Sequence, residues 1–397
     1  MDKQEMIEEL VAWASEEGDL RALAEGRGEG SRAALVEAAA ASFGSWPLAL
    51  ASALAALARL EERRRPASRP AATVALAEAP DSRVVTEASE IPLYLMSAEG
   101  HLLQLPLDEL PCAPDSAWRE LPGGPGRVAW PTRIATQGDD ETFFALGTSG
   151  LGGTLIRQHF IPWSHEAKLV RMSDRLAGMD EDAVAGLFPR RQLRQFDRLY
   201  AFSTDGNIKA SDSAEYAKRV GAEAIDVILP REGEYALTMF VADTNASIFV
   251  ASSAGKAIVF SAEEIRSQGR KAQGMRAILL DEGARAVSAF PVESEECVLV
   301  TAKGFVKRMS LDEFRAQGRG GGGLQTVKLG GDDEVIAVLP VSVNDDLLLV
   351  SEEARYVRIP AWRIPLMGRA ARGEAMVSSL AGDRIADVIV VPPGADA

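Results

Sequence analysis

The feature that most constrains this chain is a strand, glycine turn, strand unit that recurs about every 50 residues. Its clearest copy is Cys297-Val-Leu-Val-Thr-Ala-Lys-Gly304-Phe-Val-Lys307-Arg308-Met-Ser. The same pattern stands in Ile248-Phe-Val-Ala-Ser-Ser-Ala-Gly255-Lys-Ala-Ile-Val-Phe and in Leu199-Tyr-Ala-Phe-Ser-Thr-Asp-Gly206-Asn-Ile-Lys. A weaker copy is Leu347-Leu-Leu-Val-Ser-Glu-Glu-Ala354-Arg-Tyr-Val-Arg, and two more lie upstream, turning at Gly100 and Gly150. The turn positions are separated by 50, 56, 49, 49 and 50 residues. Apolar residues alternating around a glycine turn signal a β-hairpin. A lone hairpin cannot bury its faces, so a regular series of six predicts an all-β six-bladed propeller over residues 90–393, each blade buried on its neighbours.

A second pattern follows the turn at fixed distance. Gly269-Arg270-Lys271-Ala272-Gln273-Gly274 follows Gly255, Gly318-Arg319-Gly320-Gly321-Gly322-Gly323 follows Gly304, and Gly368-Arg369-Ala370-Ala371-Arg372-Gly373 follows Ala354. In each the arginine stands 15 residues past the turn and the second glycine 19 past it. Glycine lets backbone approach a phosphate and offers N–H donors with no Cβ in the way. An adjacent arginine supplies a forked, charge-assisted contact. The competing expectation is purely structural: a tight connection between blades, its arginine paired with a neighbouring carboxylate.

Gly304-Phe-Val-Lys307-Arg308 followed by Glu313-Phe-Arg-Ala-Gln317-Gly-Arg319-Gly-Gly-Gly-Gly323 resembles the C-terminal domain of DNA gyrase A, and equally the matching domain of topoisomerase IV. That resemblance implies a six-bladed β-pinwheel whose basic rim bends DNA. The family's box reads Gln-Arg-Arg-Gly-Gly-Arg/Lys-Gly. Here Gln317, Arg319 and three glycines match, while Gly318 and Gly322 replace two basic positions. The phosphate-binding residues it implies are Gln317, Arg319, Gly320, Gly321, Gly322, Gly323, Lys307 and Arg308. The repeat adds Arg270, Lys271, Arg369 and Arg372. The partner expected is duplex DNA, held through its backbone, with a topoisomerase or another protein as a further partner.

Charge works against this reading. The net charge is −15, and phosphate affinity comes from Lys and Arg. The acidity is uneven, however: residues 246–393 hold 18 Lys and Arg against 19 Asp and Glu. A second reading is therefore an acidic propeller scaffold for protein–protein interaction that has lost DNA wrapping.

Two cysteines, Cys112 and Cys297, make neither a disulfide framework nor a zinc site, and three scattered histidines make no metal cluster. The acidic pairs Asp332-Asp333 and Asp345-Asp346 read as solvated turns. No nucleotide loop or nucleophile elbow is seen, and none of the five tyrosines lies in the first 90 residues. The expectation is a cytoplasmic, nucleoid-associated bacterial protein, not an enzyme, with no cofactor, metal or membrane.

Residues 1–64 read as helices. Met6, Leu10 and Trp13 share one face. The string Phe43-Gly44-Ser45-Trp46-Pro47-Leu48-Ala49-Leu50 is similar to helical repeats found beside homing endonucleases. A linker rich in charge and proline is expected over 65–89.

Overall fold

The computed structural model describes residues 92–96, 100–106, 110, 112, 118–120, 135–137, 142–162, 170–179, 183–218, 221, 223–353, 355–377 and 382–391. The helices expected over 1–64, the linker over 65–89 and the turn at Ala354 lie outside these residues. The described residues fall within one compact unit, Arg83–Ala397.

The architecture is an all-β propeller arrangement. Each glycine turn joins two strands, as in Glu296–Thr301 and Phe305–Ser310, with Cys297 opposite Met309 and Val300 opposite Val306. Gly304 turns the chain at φ +84°, where L side chains are strained. Its absent Cβ would also lie 2.9 Å from a methyl of Val377.

The hairpins are Pro92–Met96 with Leu102–Pro106, Thr142–Gly147 with Leu151–Ile156, Arg198–Ser203 with Asn207–Asp212, Ser247–Ser252 with Lys256–Ser261, Glu296–Thr301 with Phe305–Ser310, and Asp346–Ser351 with Arg355–Pro360. Each forms the middle of one four-stranded sheet, giving sheets 1 to 6 in chain order. The strand that follows within the repeat pairs on one side. The strand on the other side comes from beyond the next hairpin. Sheet 4 thus takes Ala286–Pro291 on one side and the distant Leu324–Gln325 on the other.

The same rule gives sheet 3 Met275–Arg276 and sheet 5 Glu374–Ala375. Sheet 6 has no later hairpin to borrow from, and its outer strand is Arg119–Glu120, from the start of the domain. Every sheet is therefore tied covalently to its neighbour, which makes the swapped segments straps between sheets.

Sheets 2 to 6 are the regular blades. Their named strands pair antiparallel, with single parallel bridges in sheets 3, 4 and 5, and each sheet carries a register shift where the inner strand leaves the hairpin, as at Val300/Thr301. In sheet 1 the parallel contact is the two-residue strand Ile161–Pro162 and the antiparallel one the single bridge from Arg171 to His101, whereas in sheets 3, 4 and 5 the parallel contact is the single bridge. The inner strands contact one another in order from sheet 2 to sheet 6, and Ala135–Gln137 of sheet 1 touches the inner strands of sheets 6 and 2. Inner strands of sheets 2 to 6 line a cavity of about 290 Å³.

Burial explains why the hairpin strands read as nearly continuous apolar runs. Val298 and Val300 pack with Leu347 and Leu349 of sheet 6, while Cys297 and Leu299 pack with Phe249 and Ala251 of sheet 4. Both faces of a blade are covered, so successive residues must all be apolar. One charge expectation fails here. Asp345 and Asp346 are buried rather than solvated. Asp346 opens a strand and accepts two hydrogen bonds from Arg358, at 2.9 and 2.6 Å, and Asp345 accepts the Ser342 N–H at 2.6 Å. Among the described residues no helix is long and apolar enough to cross a membrane.

Candidate nucleic-acid interface

The straps begin where a hairpin ends. A short 3-10 turn follows, Ala262–Glu264 after one hairpin and Leu311–Glu313 after the next. Ser261 and Ser310 cap these turns, accepting backbone N–H groups at 3.3 and 3.2 Å. Ile265 and Phe314 then plug into the core, and the chain runs along the outer edge of the preceding sheet. Bridges from Ser267 to Ala210, Ala316 to Val259 and Leu366 to Arg308 fix this run at equal steps. Because these are the outermost strands, the straps of sheets 3, 4 and 5 form the rim.

The second glycine of each motif is fixed by this pairing. Gly323 has φ +72°, and a Cβ there would stand 2.6 Å from the Ala257 carbonyl oxygen. Its neighbours differ: at Gly318 and Gly322 an added Cβ meets nothing within 4 Å. The backbone donors of the run are partly used. Arg319 donates its N–H to a carboxylate oxygen of Glu264 at 2.8 Å, and Gly320 donates to the Ala277 carbonyl at 2.8 Å. In the next strap Arg369 donates its N–H to Glu313 at 2.7 Å. The expectation that the glycine run holds its donors open for phosphate is corrected at these positions.

The arginines of the motif join strap to strap. Arg319 donates through Nη1 to the Arg276 carbonyl of the sheet 3 strap. Arg369 repeats this toward the Gln325 carbonyl of the sheet 4 strap, at 2.5 Å. Arg270, Arg319 and Arg369 are each half-buried, and Arg319 Nε is buried with no hydrogen-bond partner among the described residues. Gln317 is half-buried, its N–H giving 2.8 Å to the Val259 carbonyl. Lys271 and Arg372 are exposed, the latter with its guanidinium 4.1 Å from the centre of the Phe305 ring.

Lys307 and Arg308 are not on the rim surface. Lys307 has no exposure, and its ammonium donates to the carbonyls of Thr326, Gly368 and Arg369 at 2.7, 3.1 and 2.6 Å. Arg308 is 9% exposed, bonded to the Ile364 carbonyl at 2.9 Å and to Glu296 at 2.5 Å. Their expected contact with DNA is corrected: the Lys307 ammonium is spent on three carbonyl oxygens, and the buried Arg308 guanidinium is paired with Glu296 and the Ile364 carbonyl. Lys209 is the counterpart in sheet 3, buried and bonded to the carbonyls of Val227 and Arg270. Burial pulls both ammonium groups down from 10.5 to about 8; nearby acids, Asp226 and Glu215 for Lys209 and Glu313 for Lys307, oppose this.

Other cations stand on the straps instead. Arg266, Arg276, Arg315 and Lys328 are exposed and Arg363 is half-buried. Residues 265–280, 314–329 and 363–373 carry ten Lys and Arg and no Asp or Glu, flanked by Glu263, Glu264, Asp312 and Glu313 in the turns before them and by Glu374 in the outer strand of sheet 5. That signal is present in the sequence and is lost when charge is averaged over the whole repeat.

Residues 246–293, 295–342 and 345–392 match the family described as DNA gyrase C-terminal domain, beta-propeller. The DNA gyrase A protein of Pseudomonas aeruginosa is 28% identical over 189 residues, covering 47% of this chain and 20% of the relative. The A protein of DNA topoisomerase 4 from Bacillus subtilis is 28% identical over 133 residues, 33% of this chain and 16% of the relative. The chain thus spans a fifth or less of these two relatives. A solved DNA gyrase A C-terminal domain superposes with TM-score 0.65 at 20% identity, covering 76% of this chain and all of that one. The C-terminal domain of topoisomerase IV gives TM-score 0.60 at 15% identity, over 77% of this chain and 95% of that one. The resemblance carried by the repeats and the box is therefore shown over the last three repeats, and the propeller fold over the described domain.

Proposed function

We propose that this chain, whose last three repeats match the C-terminal domain of DNA gyrase, binds duplex DNA along its rim and bends it without cutting it. The observation that carries this reading is the sign of the straps. Between the acidic 3-10 turns and the outer strands, the segments of sheets 3, 4 and 5 are dominated by cations, in a chain of net charge −15, while Glu374 opens the outer strand of sheet 5. Arg270, Arg319 and Arg369 recur at steps of 49 and 50 residues, the exposed cations fall at differing places in each strap, and contacts of both kinds suit the phosphate backbone, which positions DNA without reading its sequence. The contacts come from Lys271, Arg276, Arg315, Lys328 and Arg372, which are exposed, with Arg270, Arg319 and Arg369 partly engaged in the rim itself. Bending a site of 20–30 base pairs costs about 1–6 kcal/mol, so several contacts must act together.

All six sheets belong to this device in the same reading. Arg119–Glu120 pairs with the last hairpin and would close the straps into a six-bladed disc. The domain would occupy residues 90–393, behind a helical segment and a linker, and act in the bacterial cytoplasm on DNA topology or on a topoisomerase.

One observation favours the protein-scaffold reading. Glu264 and Glu313 set carboxylates against the straps at the N–H groups of Arg319 and Arg369. A titration of unrelated duplexes at several salt concentrations decides between them. Phosphate binding requires log affinity to fall steeply and equally for all sequences as log salt rises. Affinity that is absent at low salt leaves the scaffold.

A further inference from the structure

At the third position after the glycine turn, sheets 3, 4 and 5 carry Lys209, Ile258 and Lys307. Both lysines are buried and bonded to strap carbonyls, Lys209 to Arg270 and Lys307 to Gly368 and Arg369. Each also reaches the outer segment of the preceding sheet, at Val227 just past the sheet 2 outer strand Ile225–Asp226 and at Thr326 just past Leu324–Gln325. The strap residue three places past the first glycine of the motif changes in step. Ala272 and Ala371 accompany the lysines, whereas Gly321 accompanies Ile258. A Cβ on Gly321 would stand 3.4 Å from the Ile258 Cδ1 atom, at the near edge of ordinary van der Waals contact.

We propose that Lys209 and Lys307 are positioning residues of the rim, each holding two neighbouring straps together from inside, and that Ile258 packed on a glycine-rich strap is the alternative solution used in sheet 4. An ammonium group with three donors suits this place because it satisfies several carbonyl oxygens at once, those of Val227 and Thr326 being in buried bonds. The groups around Lys307 are Glu313, Cys297 and Arg369, and those around Lys209 are Asp226, Glu215 and Arg270. The lysines touch no DNA; they set the path of the segments that carry Arg270, Lys271, Arg369 and Arg372. This last step rests on the reading of the straps as phosphate-binding.

The test uses the full chain in three forms: unaltered, Lys307→Ile, and Lys307→Ile with Ala370→Gly and Ala371→Gly. The triple variant rewrites the sheet 5 strap in the manner of sheet 4. Amide hydrogen exchange reads the straps directly. Lys307→Ile should speed exchange over 368–373 by about tenfold or more and leave 318–323 unchanged. The triple variant should recover much of the lost protection. Duplex affinity at low salt should fall about tenfold in Lys307→Ile and recover in parallel. Unchanged exchange over 368–373 in Lys307→Ile overturns the proposal. Where Lys307→Ile does not fold, the triple variant must fold with 368–373 protected, and its failure overturns the proposal equally. An unaltered chain that binds no duplex removes the DNA reading alone, because exchange still decides the role of the lysines.

Discussion

The straps of sheets 4 and 5 follow one path on different supports. Under the sheet 5 strap lies an ammonium group bonded to three carbonyl oxygens; under the sheet 4 strap lies the side chain of Ile258. The strap over the charge keeps alanines at 370 and 371, and the strap over the isoleucine is glycine from 320 to 323. Where the two straps differ, from 320 to 322, Gly320 is set by its φ of +82°, a Cβ on Gly321 would stand 3.4 Å from Ile258 and one on Gly322 would meet nothing, so backbone and packing account for two glycines of the run and leave the third open. Four consecutive glycines look like an invitation to phosphate, yet Gly320 spends its N–H on Ala277 and Gly323 is forced by the Ala257 carbonyl.

The largest expected effect breaks the glycine run into its parts. Gly323→Ala places a Cβ against backbone at a left-handed φ and should lower stability by ~3 kcal/mol. Gly322→Ala meets no atom and should stay within ~0.5 kcal/mol of the parent. The urea midpoint at unchanged slope measures both. Equal losses would mean that the run acts as one flexible loop and that the packing account of the sheet 4 strap is wrong.

The next effect separates the two supports by pH. Lys209 and Lys307 titrate near 8 in the folded chain, pulled down by burial from an ordinary 10.5. Between those values the unfolded chain binds more protons than the folded one. These two lysines therefore add stability as pH rises above about 8, the cost of keeping the buried charge being felt below 8, while Cys297 and Tyr200, both pushed up to about 12 by burial, work in the opposite direction above about 9. The slope from each lysine approaches ~1.4 kcal/mol per pH unit. Lys307→Met should remove its share of the rise, while Ile258→Met should leave the rise intact. A pH series of denaturant titrations decides the point, and an unaltered rise in Lys307→Met would mean that this ammonium is not the desolvated group.

Much of the fold is legible in the sequence because hairpins announce themselves locally. Gly206, Gly255 and Gly304 mark tight turns, and the near-constant spacing follows from repeated blades. The strand swap is not legible, since Leu324–Gln325 and Arg119–Glu120 are two residues each and find their partners across the chain. The interface is half legible. Gly-Arg motifs mark the straps, but charge alone makes Lys307 and Arg308 look like rim cations. Burial is decided by the neighbouring sheets, and a strand position between Val306 and Met309 gives no sign that carbonyl oxygens will surround it. Asp346 misleads for the same reason, its partner Arg358 lying on the strand opposite. The exposed cations Arg266, Arg276, Arg315 and Lys328 become visible only once the straps are known as segments.

The smallest effect sharpens the division between arginines that build the rim and those that face outward. Arg315 is exposed and lies at the start of the sheet 4 strap, four residues before Arg319. Arg319 is half-buried, with its N–H on Glu264 and its guanidinium on the Arg276 carbonyl. Arg315→Ala should leave stability within ~0.5 kcal/mol and reduce the magnitude of the log-affinity against log-salt slope by about one, the share of a single phosphate contact. Arg319→Ala should cost about 1 kcal/mol of stability, because a carbonyl partner is lost between two straps. Its salt slope should change by less than that of Arg315→Ala, since a guanidinium already committed to backbone neutralises phosphate less fully. Both readings come from one pair of experiments, an unfolding curve and a salt titration with two unrelated duplexes. If Arg319→Ala takes the larger share of the slope and none of the stability, the box arginine faces DNA after all, and its bond to the Arg276 carbonyl is one that DNA displaces.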